Sequence, residues 1–146
     1  MRTYFTPYRG TFAPPELLQG TINSKGDEGG AAANAHGAVT IFASRGRKGA
    51  KGWDLFVSRR VGGRMSEAER LDTLDTDADE FDPALLANDA GLVFARAVTL
   101  DDRPGSLWFA PRKGEGQPMA RASVQPNQAT ASVTKPAMTP PCVFGQ

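Results

Sequence analysis

Thr73-Leu74-Asp75-Thr76-Asp77-Ala78-Asp79-Glu80 restates, fifty-two residues on, Thr21-Ile22-Asn23-Ser24-Lys25-Gly26-Asp27-Glu28. The echo continues without a gap. Phe42-Ala43 returns as Phe94-Ala95, Leu55-Phe56-Val57 as Leu107-Trp108-Phe109, and Arg60 as Arg112. Laid over residues 73–115, residues 21–63 show eleven identities. Three are alanines in an alanine-rich stretch, so the Asp-Glu pair and the apolar triplets carry the case. A period of about fifty residues marks a repeat architecture, in which one unit cannot bury its own apolar faces and must stack on another.

Within the second copy, Phe81-Asp82-Pro83-Ala84-Leu85-Leu86 reads as a short strand with its proline near the start or edge. Asn88-Asp89-Ala90-Gly91 has turn chemistry, and the apolar bursts Leu92-Val93-Phe94-Ala95 and Leu107-Trp108-Phe109-Ala110 flank a loop from Val98 to Gly105. These runs are too short for helices and are apolar at consecutive positions, which predicts strands covered on both faces. The first copy has the same rhythm in Val39-Thr40-Ile41-Phe42-Ala43 and Trp53-Asp54-Leu55-Phe56-Val57. A tight turn at Val61-Gly62-Gly63-Arg64 follows. Met65-Ser66-Glu67-Ala68-Glu69-Arg70-Leu71 has helical propensity but sits where the repeat needs its outermost strand, so a polar edge strand is expected. Tyr4-Phe5-Thr6, Gly10-Thr11-Phe12 and Pro15-Glu16-Leu17-Leu18 parallel the second half of a unit, so a partial copy stands in front.

Those motifs resemble the WD40-like repeat of TolB-type β-propellers over about residues 4–115. Asp79-Glu80-Phe81-Asp82-Pro83, Leu92-Val93-Phe94-Ala95-Arg96 and Asp54-Leu55-Phe56-Val57-Ser58-Arg59-Arg60 carry the likeness in order, with Met65 where that family has an outer-strand tryptophan. The resemblance implies an all-β fold of four-stranded antiparallel propeller blades, two complete and one partial. The expected divisions are 1–20 for the partial blade, 21–72 and 73–116 for the complete blades, and 117–146 for a disordered tail. Gly29-Gly30-Ala31-Ala32-Ala33 replaces larger apolar residues and predicts a weak innermost strand in the first blade. A propeller ring needs four to eight blades, so this would be an incomplete propeller. It is expected to belong to a longer protein, to assemble from several copies, or to close in some shorter arrangement.

The tail expectation rests on composition: residues 117–146 hold five prolines, no acidic residue, and only Arg121 and Lys135 as charges. The formal net charge of +1 points to no polyanionic partner. One cysteine, Cys142, forms no intrachain disulfide and defines no redox compartment. No run is long and apolar enough to span a bilayer as a helix, and the opening residues lack a secretion signal, so no membrane insertion is expected. The resemblance implies a bacterial envelope setting, typically periplasmic, which the missing signal contradicts; the compartment stays open.

Candidate chemistry is thin. There is no G-x-S-x-G elbow, and the single histidine, His36, lies in an expected turn, so no catalytic residue, cofactor or enzymatic activity is assigned. Asp75-x-Asp77-x-Asp79 lacks the glycine and glutamate spacing of an EF-hand, and no metal is assigned either. The resemblance implies that Asp27, Glu28, Asp79 and Glu80 tie blade to blade through backbone hydrogen bonds and arginines such as Arg45 or Arg96. The loop 45–53 gathers Arg45, Arg47, Lys48, Lys51 and Trp53, a possible grip for a phosphate backbone and a base. Its counterpart in the second copy is acidic, and packing of Trp53 at a blade edge is the expected alternative. The resulting expectation is a non-catalytic module for protein–protein recognition that self-associates to cover its open faces. The alternatives are a detached propeller domain gating a serine-peptidase-type hydrolase, and a binder of anionic ligands or nucleic acid through loop 45–53.

Overall fold

The computed structural model describes residues 2–5, 10–18, 20–101, 105–113 and 123–124. They build an all-β fold of antiparallel sheets, interrupted only by a single 3-10 turn at Ala87–Asp89. The first sheet runs β3 (Asp27–Ala33), β4 (Val39–Arg45), β5 (Asp54–Val61) and β6 (Arg64–Met65), with β7 (Glu69–Arg70) also pairing β5. The second runs β8 (Asp79–Leu85), β9 (Gly91–Ala97), β10 (Ser106–Pro111) and β11 (Ser123–Val124). A separate pair joins β1 (Tyr4–Phe5) to β2 (Glu16–Leu17).

Residues fifty-two apart take matching register. Phe42 faces Phe56 and Ala43 faces Leu55 across β4 and β5; Phe94 faces Trp108 and Ala95 faces Leu107 across β9 and β10. The consecutive apolar runs are explained by burial on both sides of the first sheet. Ile41, Ala43, Leu55 and Val57 face Leu92, Phe94 and Ala110 of the second sheet, joined by Trp53 and Leu74. Phe42 and Phe56 turn the other way, onto Ile22, Leu18 and Met65.

Local chemistry shapes the connections. Gly62 and Gly63 both take positive φ, 56° and 81°, in the tight turn between β5 and β6. Asn88 and Asp89 take φ of 57° and 54° before β9, the left-handed conformation their short polar side chains tolerate. The segment 64–71 is extended, as position rather than propensity predicts: Arg64–Met65 and Glu69–Arg70 pair with β5 in two pieces.

The Gly/Ala run, expected as the innermost strand, forms β3 with a bulge between Gly29 and Ala31. Its small residues let β8 approach closely: a Cβ on Gly30 would lie 3.1 Å from the Asp82 Cα and 3.2 Å from its nitrogen. Composition also places all of 117–146 outside the fold, yet Ser123–Val124 pair with Phe109 and Trp108 as β11. Backbone ladders need no apolar side chains, and the open edge of β10 offers unpaired N–H and C=O groups. The rest of the expected tail lies outside the described residues. Among those residues, no helix is long and apolar enough to cross a membrane.

Candidate functional site

Each sheet buries one glutamate at its repeat-equivalent position, Glu28 on the Phe42–Phe56 face of the first sheet and Glu80 in the second. Glu28 in β3 and Glu80 in β8, fifty-two residues apart, are both buried, at 0% and 1% exposed. Each accepts a hydroxyl from four residues earlier: Ser24 Oγ donates to Glu28 Oε1, and Thr76 Oγ1 donates to Glu80 Oε1 at 2.5 Å. Each also faces a guanidinium that lies over two aromatic rings. Arg96 Nε donates to Glu80 Oε1 at 2.8 Å and Arg96 Nη2 to the Leu74 carbonyl at 2.7 Å; its carbon sits 5.4 Å from the Phe94 ring centre and 4.2 Å from that of Trp108. Charge pairing, hydrogen bonding and cation–π contact together satisfy a guanidinium that would otherwise be costly to bury.

The first sheet builds the same arrangement with a different arginine. Arg45, expected beside Asp27 and Glu28, pairs with Asp27 at 2.9 Å near the surface and lies 5.2 Å from the Trp53 ring centre. Arg47 faces Glu28 instead, at 3.4 Å, with its guanidinium 5.1 Å from Phe42 and 5.3 Å from Phe56, and it also donates to the Thr21 and Ile22 carbonyls. Register explains the exchange. Glu80 lies opposite Arg96, whereas Glu28 lies opposite Ser44. Serine is too short to supply the charge, so Arg47 folds back from the loop, its Nε donating to Ser44 Oγ at 3.0 Å.

Asp79 links the sheets through the backbone. Its Oδ1 accepts the Trp53 N–H at 2.9 Å, its Oδ2 accepts the Leu100 N–H at 2.6 Å, and the neighbouring Glu80 N–H donates to the Trp53 carbonyl at 2.6 Å. A Cβ on Gly52 would overlap the Asp79 carboxylate, which is why the chain is bare there.

Loop 45–53 is largely committed to the protein itself. Trp53 is 6% exposed and packs in the core between the sheets. Arg45 and Arg47 are paired as above, and Lys51 Nζ reaches Asp77 at 2.9 Å and Asp75 at 3.6 Å. Lys48 is exposed. His36 is exposed in a turn that Asn34 closes by accepting the Ala38 and Val39 N–H groups. The acidic run splits three ways: Asp77 to Lys51, Asp79 to Trp53 and Leu100, and Asp75 toward Arg70 at 3.5 Å.

Sequence reasoning did not assign Asp54 a role. Asp54 opens β5, is fully buried, and accepts the Lys51 N–H at 2.9 Å. With Asp75 and Glu80 it forms a cluster in which each carboxylate offers an oxygen within 4.8 Å of the other two. Burial pushes the Asp54 and Glu80 carboxyls above the usual carboxylate range, against the pull of the Lys51 N–H on Asp54 and of Thr76 and Arg96 on Glu80. The available signal was an aspartate directly ahead of the apolar run Leu55-Phe56-Val57. A search of family models, curated proteins and solved structures returns no match to this chain.

Proposed function

We propose that this protein is a non-catalytic, WD40-like propeller module that works by protein recognition, first of all by stacking on another copy of itself. One observation carries the reading. In the first sheet, Ile41, Ala43, Leu55 and Val57 are 1–3% exposed because the second sheet covers them. The residues fifty-two positions later are Val93, Ala95, Leu107 and Phe109, which share one face of β9 and β10 by register. There Leu107 is 61% exposed and the other three are only partly buried. The second unit thus carries the apolar surface that the first unit hides under a neighbour. A third unit of the same kind is the partner whose shape and chemistry fit it.

The repeated pairs support this reading: Glu28 with Arg47 and Glu80 with Arg96 recur at equivalent places in the two units, each buried inside its own unit. Loop 45–53 spends Arg45, Arg47, Lys51 and Trp53 on intramolecular contacts, which weighs against an anionic-ligand grip.

The test is the solution mass of the full chain, by size-exclusion chromatography with light scattering, beside Leu107→Asp. Leu107 is exposed, so its substitution should leave the circular dichroism spectrum unchanged. The expected result is a discrete assembly for the natural chain and a monomer for the variant. A natural chain that stays monomeric at high concentration, or a variant that assembles equally well, would sink the stacking proposal.

A further inference from the structure

Asp54, Asp75 and Glu80 come from the start of β5, the turn ahead of β8, and β8 itself, yet their carboxylates converge within 4.8 Å. One oxygen of each is already committed. Asp54 Oδ2 accepts the Lys51 N–H at 2.9 Å, and Asp75 Oδ2 faces Arg70 Nη1 at 3.5 Å and Lys51 Nζ at 3.6 Å. Glu80 Oε1 is held by Thr76 at 2.5 Å and Arg96 at 2.8 Å. The remaining oxygens, Asp54 Oδ1, Asp75 Oδ1 and Glu80 Oε2, are buried and have no hydrogen-bond partner.

Three unpartnered oxygens, one on each carboxylate of a converging cluster, ask for more than one ordinary donor. One water carries two protons, and one shared proton bridges two carboxylates; either leaves an oxygen bare. A hard divalent cation takes all three together. Carboxylate oxygens lie ~2.3–2.6 Å from Ca²⁺, so two ligands of one ion are at most about 5 Å apart, and waters complete its shell. We infer that Asp54, Asp75 and Glu80 form a Ca²⁺ site at the seam between the sheets.

The first half of the chain provides a control. Fifty-two residues before Asp75 and Glu80 stand Asn23 and Glu28, and before Asp54 stands Arg2. Asn23 is occupied with the Thr3 backbone and the Leu18 carbonyl. Glu28 Oε2 is also unpaired, but it is a single oxygen that one water satisfies. Lys51 Nζ and Arg70 Nη1 both face Asp75 Oδ2, and Arg70 Nη1 lies 3.9 Å from Asp54 Oδ2, so these cations address the committed oxygens and leave Asp54 Oδ1 and Asp75 Oδ1 without a partner. An ion here would fasten β5 to β8, and so one sheet to the other.

The full chain, stripped with chelator, is titrated with CaCl₂ while its thermal midpoint is followed. Tb³⁺ serves as a second probe, excited through Trp53, the residue before Asp54. The expected result is a saturable rise of several degrees in the midpoint and Trp-sensitised Tb³⁺ emission that Ca²⁺ displaces. In Asp75→Asn, which installs the residue type found at Asn23, affinity should fall at least about tenfold. Glu80→Gln is the second variant. If neither variant folds, calorimetry on the natural chain decides: a one-to-one Ca²⁺ isotherm supports the site and its absence overturns it. An unchanged Ca²⁺ response in Asp75→Asn overturns it as well.

Discussion

Replacing Asp79 with alanine should be among the most damaging single changes outside the apolar core. The carboxylate accepts two backbone N–H groups, from Trp53 at 2.9 Å and Leu100 at 2.6 Å. Hydrogen bonds to a charged partner contribute ~1.5–3 kcal/mol each. Asp79 is only partly buried, so water recovers part of the loss, leaving an expected cost of about 2–4 kcal/mol. For a fold of this size that lowers the thermal midpoint by roughly 10–25 °C. Asp79→Asn keeps one carbonyl acceptor and turns an NH₂ toward the other donor, so about half of that loss is expected. Gly52 supplies the decisive comparison. A Cβ there would overlap Asp79 Oδ1, so Gly52→Ala must displace the carboxylate in the natural chain but meets nothing in Asp79→Ala. Urea unfolding of both single variants and the double variant should therefore show a coupling of about 1–2 kcal/mol, with Gly52→Ala less harmful once Asp79 is gone. Additivity within about 0.5 kcal/mol would refute the claim that this carboxylate, in this position, joins the sheets.

Two further outcomes follow from the same seam. Arg96→Ala strands the buried Glu80 and strips the guanidinium from Trp108, and should cost about 3–5 kcal/mol, with a change in tryptophan emission; equal stability by urea titration would show that the pair is not buried as described. In chelator, the raised Asp54 and Glu80 carboxyls contribute stability that is complete below the ordinary carboxylate range and is lost as pH rises through their elevated values. The urea midpoint should therefore increase as pH is lowered toward the ordinary carboxylate range, and Asp54→Asn should flatten that rise; a midpoint that falls on that approach would contradict the burial of the cluster.

Much of the local structure was legible in the chain. The apolar bursts at 39–43, 54–57, 92–95 and 107–110 became β4, β5, β9 and β10 because short, β-branched and aromatic runs bounded by glycine, asparagine and proline have few other outlets. A junction role for the Asp79-Glu80 pair came from the family resemblance rather than from any pattern in the chain. Its partners were partly legible: Arg96 stands opposite Glu80 in the ladder, two residues past Phe94. Arg47 was not, because its selection depends on Ser44 being too short and on a loop that folds back, neither of which periodicity records. β11 was hidden as well, since its pairing uses backbone groups that composition does not report.

The sequence alone therefore determined the strands β4, β5, β9 and β10 and the period of fifty-two that relates them. Those follow from backbone geometry and from apolar area that must leave water, both properties of neighbouring residues. Tertiary structure decided the charge contacts that join residues distant in the chain. Asp54, Asp75 and Glu80 converge because two sheets pack in one orientation, and Trp53 enters the core rather than the solvent for the same reason. Electrostatics in a buried seam depends on distance and on exclusion of water, and a linear chain specifies neither until it has folded.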